Sequence, residues 1–238
     1  MTGATFGGTE EAYAVKHSRY SSHGQLLSWF RSQAKPGGRV LDIGCSDGAF
    51  GAQVRDLGFH VTGIDIVDHV AAKERLDEFY RYDANAPIQL PQSEPFDVVV
   101  LADVLEHVVQ PEQLLTQTRA FLAPGAKVFV SVPNFAHWYP RLKVVSGRFD
   151  YDERGILDRG HVRFFTRKTI EKLFADQGFV IVQRQPVGTP FELLVSGSAL
   201  KNAAAKLASV IDRGAVRVWP TMFGYQFLYE LTPAEVSV

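Results

Sequence analysis

The chain has 238 residues, 46% hydrophobic and 21% charged, enough to bury a substantial core and too apolar for a disordered tail. Its formal net charge of -1 provides no general attraction to nucleic acid, although a sum near zero leaves room for a local basic groove. Cys45 is the single cysteine, so no intrachain disulfide forms. The first residues lack the apolar core of a signal peptide, and no run approaches the roughly 18 apolar residues of a membrane span. The expectation is one cytoplasmic domain over 1–238 with no transmembrane segment.

In chain order, residues 1–12 are small and polar. Tyr13 to Phe30 reads as a helical lead-in with Leu26, Leu27, Trp29 and Phe30 on its apolar face, giving an N-terminal helical cap at about 10–35. After a Lys35-Pro36-Gly37-Gly38 turn, Val40, Leu41 and Ile43 form the short apolar run of a buried parallel strand. Gly44 and Gly48 open a tight turn, and Ala49 to Leu57 continues with helical spacing. A strand that feeds a Gly-rich turn into a helix brings bare backbone N–H groups beside a ligand. Asp42 adds a carboxylate at the same mouth, which repels phosphate and suits a cationic group.

Phe59 to Asp65 reads as a second strand ending in an acid 21 positions after Gly44, placed for ribose hydroxyls. Val67 to Phe79 is expected as the second helix and Tyr80 to Ala84 as the third strand. Pro95 to Asp103 is a Val-rich fourth strand, Pro111 opens a helix, Leu122 to Ala126 is a turn, and Lys127 to Asn134 is the fifth strand. An aromatic and cationic insertion occupies about 135–165, read either as a lid or as an extra helical pair. Thr166 caps a helix that Gly178 ends, and Phe179 to Val182 is the sixth strand. A second insertion at about 188–221 holds an Ala-rich amphipathic helix near Ser198–Ile211. Three roles stay open for it: covering substrate, pairing in a homodimer, or lying on a membrane, the last disfavoured by its modest charge. Gly224 to Leu231 closes the sheet.

The spacing Asp42-x-Gly44-x-Ser46-x-Gly48 resembles motif I of the class I S-adenosylmethionine (SAM)-dependent methyltransferases, with Ser46 replacing the usual middle glycine. The resemblance runs from Val40 to Asn134 and resumes at His161 to Phe179. It implies an α/β, Rossmann-like seven-stranded class I methyltransferase sheet, mostly parallel with an antiparallel last strand, helices on both faces and lid insertions. It also implies a SAM site made by Tyr20, Asp42, Gly44, Cys45, Ser46, Gly48, Asp65, Ile66, Asp83, Ala84, Ala102 and Asp103. In that site Asp42 faces the amino-acid end, Asp65 the ribose and Asp83 the adenine amino group.

Methyl transfer from a sulfonium is an in-line displacement, so the protein must align an acceptor atom and remove its proton. Asp103, Glu106 and His107 stand at i, i+3 and i+4, on one side of a helical turn if Asp103 opens one. His161 can reach the same mouth from the later insertion. This set is similar to that of the ubiquinone-pathway O-methyltransferases and the small-RNA 2′-O-methyltransferases, which implies Mg2+ or another divalent metal held by Asp103, Glu106, His107 and His161. The readings without metal are His161 or His107 as a general base, or purely structural roles. Leu157 to Thr166 looks like the corresponding phrase of bacterial glycan-associated methyltransferases. Arg141, Lys143, Arg148, Arg154, Arg159 and Arg163 hint at an anionic acceptor or a solvated lid. The expected reaction is SAM-dependent methylation of an oxygen on a small molecule or saccharide. Two rivals remain. One is an NAD(P)-dependent oxidoreductase, disfavoured because the turn lacks the second glycine of Gly-x-Gly-x-x-Gly. The other is a non-catalytic SAM-binding adaptor acting through a protein partner, since Pro133 to Trp138 resembles a methionine-biosynthesis branch.

Overall fold

The apolar run after Arg39 becomes β1 (Arg39–Ile43), the third of seven strands, whose last four residues are buried. The computed structural model describes residues 21–33, 36–91, 94–191 and 199–234. β1 pairs in parallel with β2 (His60–Asp65) and β4 (Phe96–Ala102). β3 (Glu78–Arg81) and β5 (Leu122–Pro133) extend the parallel sheet on either side. β7 (Gln226–Pro233) enters between β5 and β6 (Phe179–Val187), antiparallel to both, giving the order β3-β2-β1-β4-β5-β7-β6.

The pleat sends alternate residues of these strands into two cores. Leu41, Ile43, Val99, Leu101, Val128 and Val130 pack with α4 (Pro111–Ala120) and α6 (Arg167–Asp176) through Leu114, Leu115, Ile170 and Phe174. Val40, Val61, Val98, Val100 and Phe129 pack with α1 (Ser22–Gln33), α2 (Ala49–Arg55) and α3 (Val70–Arg75) through Leu26, Phe30, Phe50, Val54 and Ala72. Covering on both faces is what continuous rather than alternating hydrophobicity in the strands demands. Thr166 caps α6 as expected, in a reciprocal box with Thr169.

Several boundaries differ from the sequence reading. The second helix ends at Arg75, because Leu76 is extended (φ −101°, ψ 162°) and Phe79 belongs to β3, paired with Gly63. The apolar residues there fit either period, and the open edge of β2 decides for the strand. The fifth strand begins at Leu122 and passes through the expected turn, with Gly125 at φ 76°. The sixth strand runs on to Val187. The first insertion holds one helix, α5 (Trp138–Val145), rather than a helical pair among the described residues. The second holds α7 (Ala199–Val218), longer than expected, and α8 (Pro220–Phe223). The early part of the lead-in helix, with Tyr20, lies outside the described residues.

Candidate active site

The turn after β1 is built from three left-handed residues, Gly44 (φ 74°), Ser46 (φ 50°) and Gly48 (φ 76°). Gly44 is exposed at the mouth, and a Cβ there would meet Val104 Cγ2 at 2.7 Å. Ser46 adopts the conformation that the replaced glycine would take without strain. Its N–H donates to Asp65 Oδ2 at 2.9 Å, and Val67 N–H donates to Asp65 Oδ1 at 2.9 Å. Asp65 thus ties the end of β2 to the Gly-rich turn, and each oxygen keeps a lone pair for a ligand hydroxyl. Cys45 is buried against Gly63, where any side chain would strike its Sγ at 2.7 Å. Burial pushes its thiol pKa up, and Asp42 and Asp65 add to the rise. It is a packing residue beneath the turn.

Asp42 is 3% exposed and its Oδ2 has no hydrogen-bond partner among the described residues. Burial first, and the nearby Asp65 second, push its pKa from 3.8 to about 7. Two carboxylates share one edge of the sheet with one of them uncompensated, an arrangement that a ligand cation would relieve. On the same edge, Ile66 and Val67 are 55% and 52% exposed, an apolar lip after β2. Asp83 is exposed and Oδ1 accepts from Asn85 N–H at 2.9 Å, forming a local turn. Asn85 Oδ1 in turn accepts from Val109 N–H at 2.8 Å. Ala84 and Ala102 are half-buried.

The second half of the site differs from the i, i+3, i+4 expectation. Asp103 has φ 57°, so it does not open a helical turn. Its Oδ1 accepts from Ser131 Oγ at 2.6 Å and from Gln226 Nε2 at 2.8 Å, which aims the carboxylate toward β5 and β7. A short 3-10 turn, Leu105–His107, follows. Ligand atoms of Glu106, His107 and His161 lie within 4.8 Å of one another, and Asp103 stands outside that group. Glu106 is buried, and its carbonyl accepts from Val162 N–H at 2.9 Å and Arg163 N–H at 3.0 Å, which docks the His161 segment.

Both imidazoles are held the same way. His107 Nδ1 lies 3.0 Å from the Gly160 carbonyl and His161 Nδ1 lies 3.1 Å from the Ile156 carbonyl. A carbonyl can only accept, so each Nδ1 carries a proton, and in the neutral ring each Nε2 is left to present a lone pair. The rings stand edge to face at 4.7 Å. Burial, then the neighbouring His107, lower the His161 pKa. Two imidazoles fixed by backbone carbonyls beside a carboxylate are a fitting donor set for a divalent cation. Without a metal, the same Nε2 lone pair on His161 suits a general base.

The first insertion closes over this corner. Phe164 sits 6.4 Å from the His161 ring, 5.0 Å from Phe135 and 6.0 Å from Phe149. Tyr139 Oη donates to Asp152 Oδ2 at 2.8 Å and Lys143 Nζ donates to Asp152 Oδ1 at 2.9 Å, fastening α5 to the following loop. Arg141 Nε donates to the Ala136 carbonyl at 2.6 Å and Arg163 Nε to the Val109 carbonyl at 3.0 Å. Three of the cations that hinted at an anionic acceptor are thus engaged within the chain. The sequence reading missed Ser131, Gln226 and the carbonyls of Ile156 and Gly160. Gln226 meets Asp103 across 123 positions and carries no local signal; Gly160, one residue before His161, carries a weak one.

An antiparallel β7 between β5 and β6, with a Gly-rich turn and two acids at the carboxyl edge, defines the class I SAM-dependent methyltransferase fold. It departs from the 3-2-1-4-5-6 order of the dinucleotide-binding oxidoreductase sheet. Solved structures agree on the fold. The magnesium protoporphyrin IX methyltransferase of Synechocystis PCC 6803, with bound S-adenosylhomocysteine (SAH), matches with TM-score 0.62 at 15% identity, over 94% of this chain and 92% of that one. The 1,6-didemethyltoxoflavin-N1-methyltransferase of Burkholderia thailandensis, also holding SAH, matches with TM-score 0.59 at 16% identity, over 91% and 80%. Among curated relatives, the ubiquinone biosynthesis O-methyltransferase of Xylella fastidiosa (strain M23) is 34% identical over 105 residues, 41% of this chain and 43% of that one. That of Aromatoleum aromaticum (strain DSM 19018 / LMG 30748 / EbN1) is 32% identical over 116 residues, 45% and 50% respectively. The chain therefore spans half or less of the length of these relatives. The methyltransferase domain family matches residues 16–184, and the chain belongs to that family.

Proposed function

We propose that the chain is a SAM-dependent methyltransferase that methylates an oxygen of a small molecule or saccharide. The observation that carries the oxygen assignment is the pair of Nδ1-tethered imidazoles, His107 and His161, converging with Glu106 beside the cofactor mouth. An uncharged hydroxyl needs a base or a cation to become a nucleophile, whereas a neutral amine does not. The curated relatives named as O-methyltransferases support the same choice.

The sulfonium of SAM supplies an activated methyl group. Asp42 and Asp65 orient the amino-acid and ribose portions, and the turn at Gly44 allows close approach. His161 Nε2 takes the hydroxyl proton as the O–CH3 bond forms and the C–S bond breaks. Where a divalent cation is bound instead, Glu106, His107 and His161 would hold it, His161 Nε2 would be a ligand rather than the base, and the cation would lower the pKa of the acceptor hydroxyl. Asp103, fixed by Ser131 and Gln226, lines the boundary between the two halves.

The test incubates the full chain with methyl-labelled SAM and a panel of phenolic, catecholic and saccharide acceptors, with Mg2+, Mn2+ or EDTA. Transfer to oxygen, lowered by His161→Ala, is expected. Transfer only to nitrogen contradicts the oxygen assignment. Turnover untouched by EDTA and by Glu106→Ala removes the metal. Absence of turnover with recovery of one stoichiometric protein partner favours the adaptor reading.

A further inference from the structure

The helix inserted between β6 and β7 has two unlike faces. Ala205, Ser209, Asp212 and Val216 are buried and recur at spacings of four, three and four, so they form one row against the domain. Roughly opposite that row, Leu207, Val210, Ile211 and Val218 are exposed, by 63%, 56%, 64% and 87%. Trp219, just past the helix end, is 52% exposed and stands edge-on to Phe223 at 6.5 Å. Lys206, Arg213 and Arg217 fall together on one flank, between the buried row and the apolar one, and Lys206 and Arg217 are exposed.

The charge of this element is less balanced than its sequence implies. Asp212 is the only acid in Ala199–Val218, and it is 8% exposed. Its Oδ2 accepts from Thr189 N–H at 2.9 Å, so its charge is turned into the domain. From residue 204 onward the helix shows outward an apolar row and a cationic flank, and an exposed tryptophan follows its end. That combination matches the boundary of an anionic bilayer, where apolar side chains enter the acyl region, cations meet headgroups and an indole sits between. A second copy fits less well, because antiparallel two-fold pairing of the helices would bring the two cationic flanks side by side.

We propose that the exposed face of α7 docks this protein on an anionic membrane surface, without crossing it. No helix among the described residues is long and apolar enough to span a bilayer. The proposal goes beyond methyl transfer, and its test needs no turnover.

The experiment is co-sedimentation of the full chain with phosphatidylglycerol/phosphatidylcholine vesicles and with phosphatidylcholine vesicles alone, at low and high salt. Binding to the anionic vesicles is expected, at least tenfold tighter than to the neutral ones and weakened by salt. Lys206→Glu with Arg217→Glu should reduce it at least tenfold, as should Leu207→Glu with Ile211→Glu. Because all four side chains are exposed, the thermal unfolding midpoint should stay within a few degrees. Failure to bind anionic vesicles overturns the proposal, as does equal binding to both vesicle types or binding indifferent to the charge reversals. A concentration-dependent dimer that Leu207→Glu with Ile211→Glu dissolves, with no vesicle binding, assigns the face to a second copy instead.

Discussion

Replacing Asp42 with asparagine should change the pH dependence of stability in a defined way. The folded carboxyl titrates at about 7 against an ordinary 3.8, raised by burial and then by Asp65. At about 1.4 kcal/mol per pH unit, the ionised group costs the native state at most about 4 kcal/mol. Below pH 3.8 both states hold the proton and there is no cost. Between 3.8 and about 7 the unfolded chain ionises first, so stability falls as pH rises. Above about 7 both states are ionised and the cost is constant. Urea denaturation of wild type and Asp42→Asn from pH 4.5 to 8.5 should therefore give curves that diverge up to pH 7 and then run parallel, with the variant gaining. A bound amino-acid ammonium would draw the carboxyl back toward ionisation. SAH binding should then release up to one proton near pH 6.5, with affinity rising as much as tenfold per pH unit below 7. Stability curves that stay parallel throughout, together with pH-independent SAH affinity, would refute both the buried charge and its partner.

Three further outcomes follow from the same geometry. Ser46→Gly removes a left-handed strain of about 1 kcal/mol and should raise the unfolding midpoint by about 2–4 °C; a lower midpoint would contradict the strain. Gly63→Ala forces a methyl group onto Cys45 Sγ and Leu76, and should destabilise by about 1–3 kcal/mol in urea denaturation; an unchanged midpoint would show a looser packing than described. Glu106→Gln, His107→Ala and His161→Ala should each lower Mn2+ affinity about tenfold or more by calorimetry, while Asp103→Asn leaves it within about threefold. Equal losses for Asp103→Asn would restore Asp103 to the ligand set.

The sheet was legible because its strands read as unbroken apolar runs, as burial on both faces demands, and because a glycine turn follows the first of them. The order of strands and the antiparallel entry of β7 came from the family resemblance rather than from periodicity. The end of the second helix was lost because Leu76 and Phe79 suit a helix and a strand equally, and only pairing with Gly63 separates the two. The grouping of Glu106, His107 and His161 was within reach, since Glu-His after a strand and a later His point to one edge. The departure of Asp103 was not, because it depends on a left-handed residue and on Gln226 from the far end of the chain. Likewise the inward turn of Asp212 cannot be seen in composition, and it alters what the surface of α7 presents.

The central claim is that the edge formed by β1, β2 and β4 holds SAM, and calorimetric titration of the full chain with SAH tests it most directly. The account predicts one site per chain, no binding of NADH, and at least tenfold weaker binding in Asp65→Asn, which loses acceptor capacity toward the ribose hydroxyls. Absence of SAH binding to folded protein, or affinity unchanged by Asp65→Asn, would contradict it.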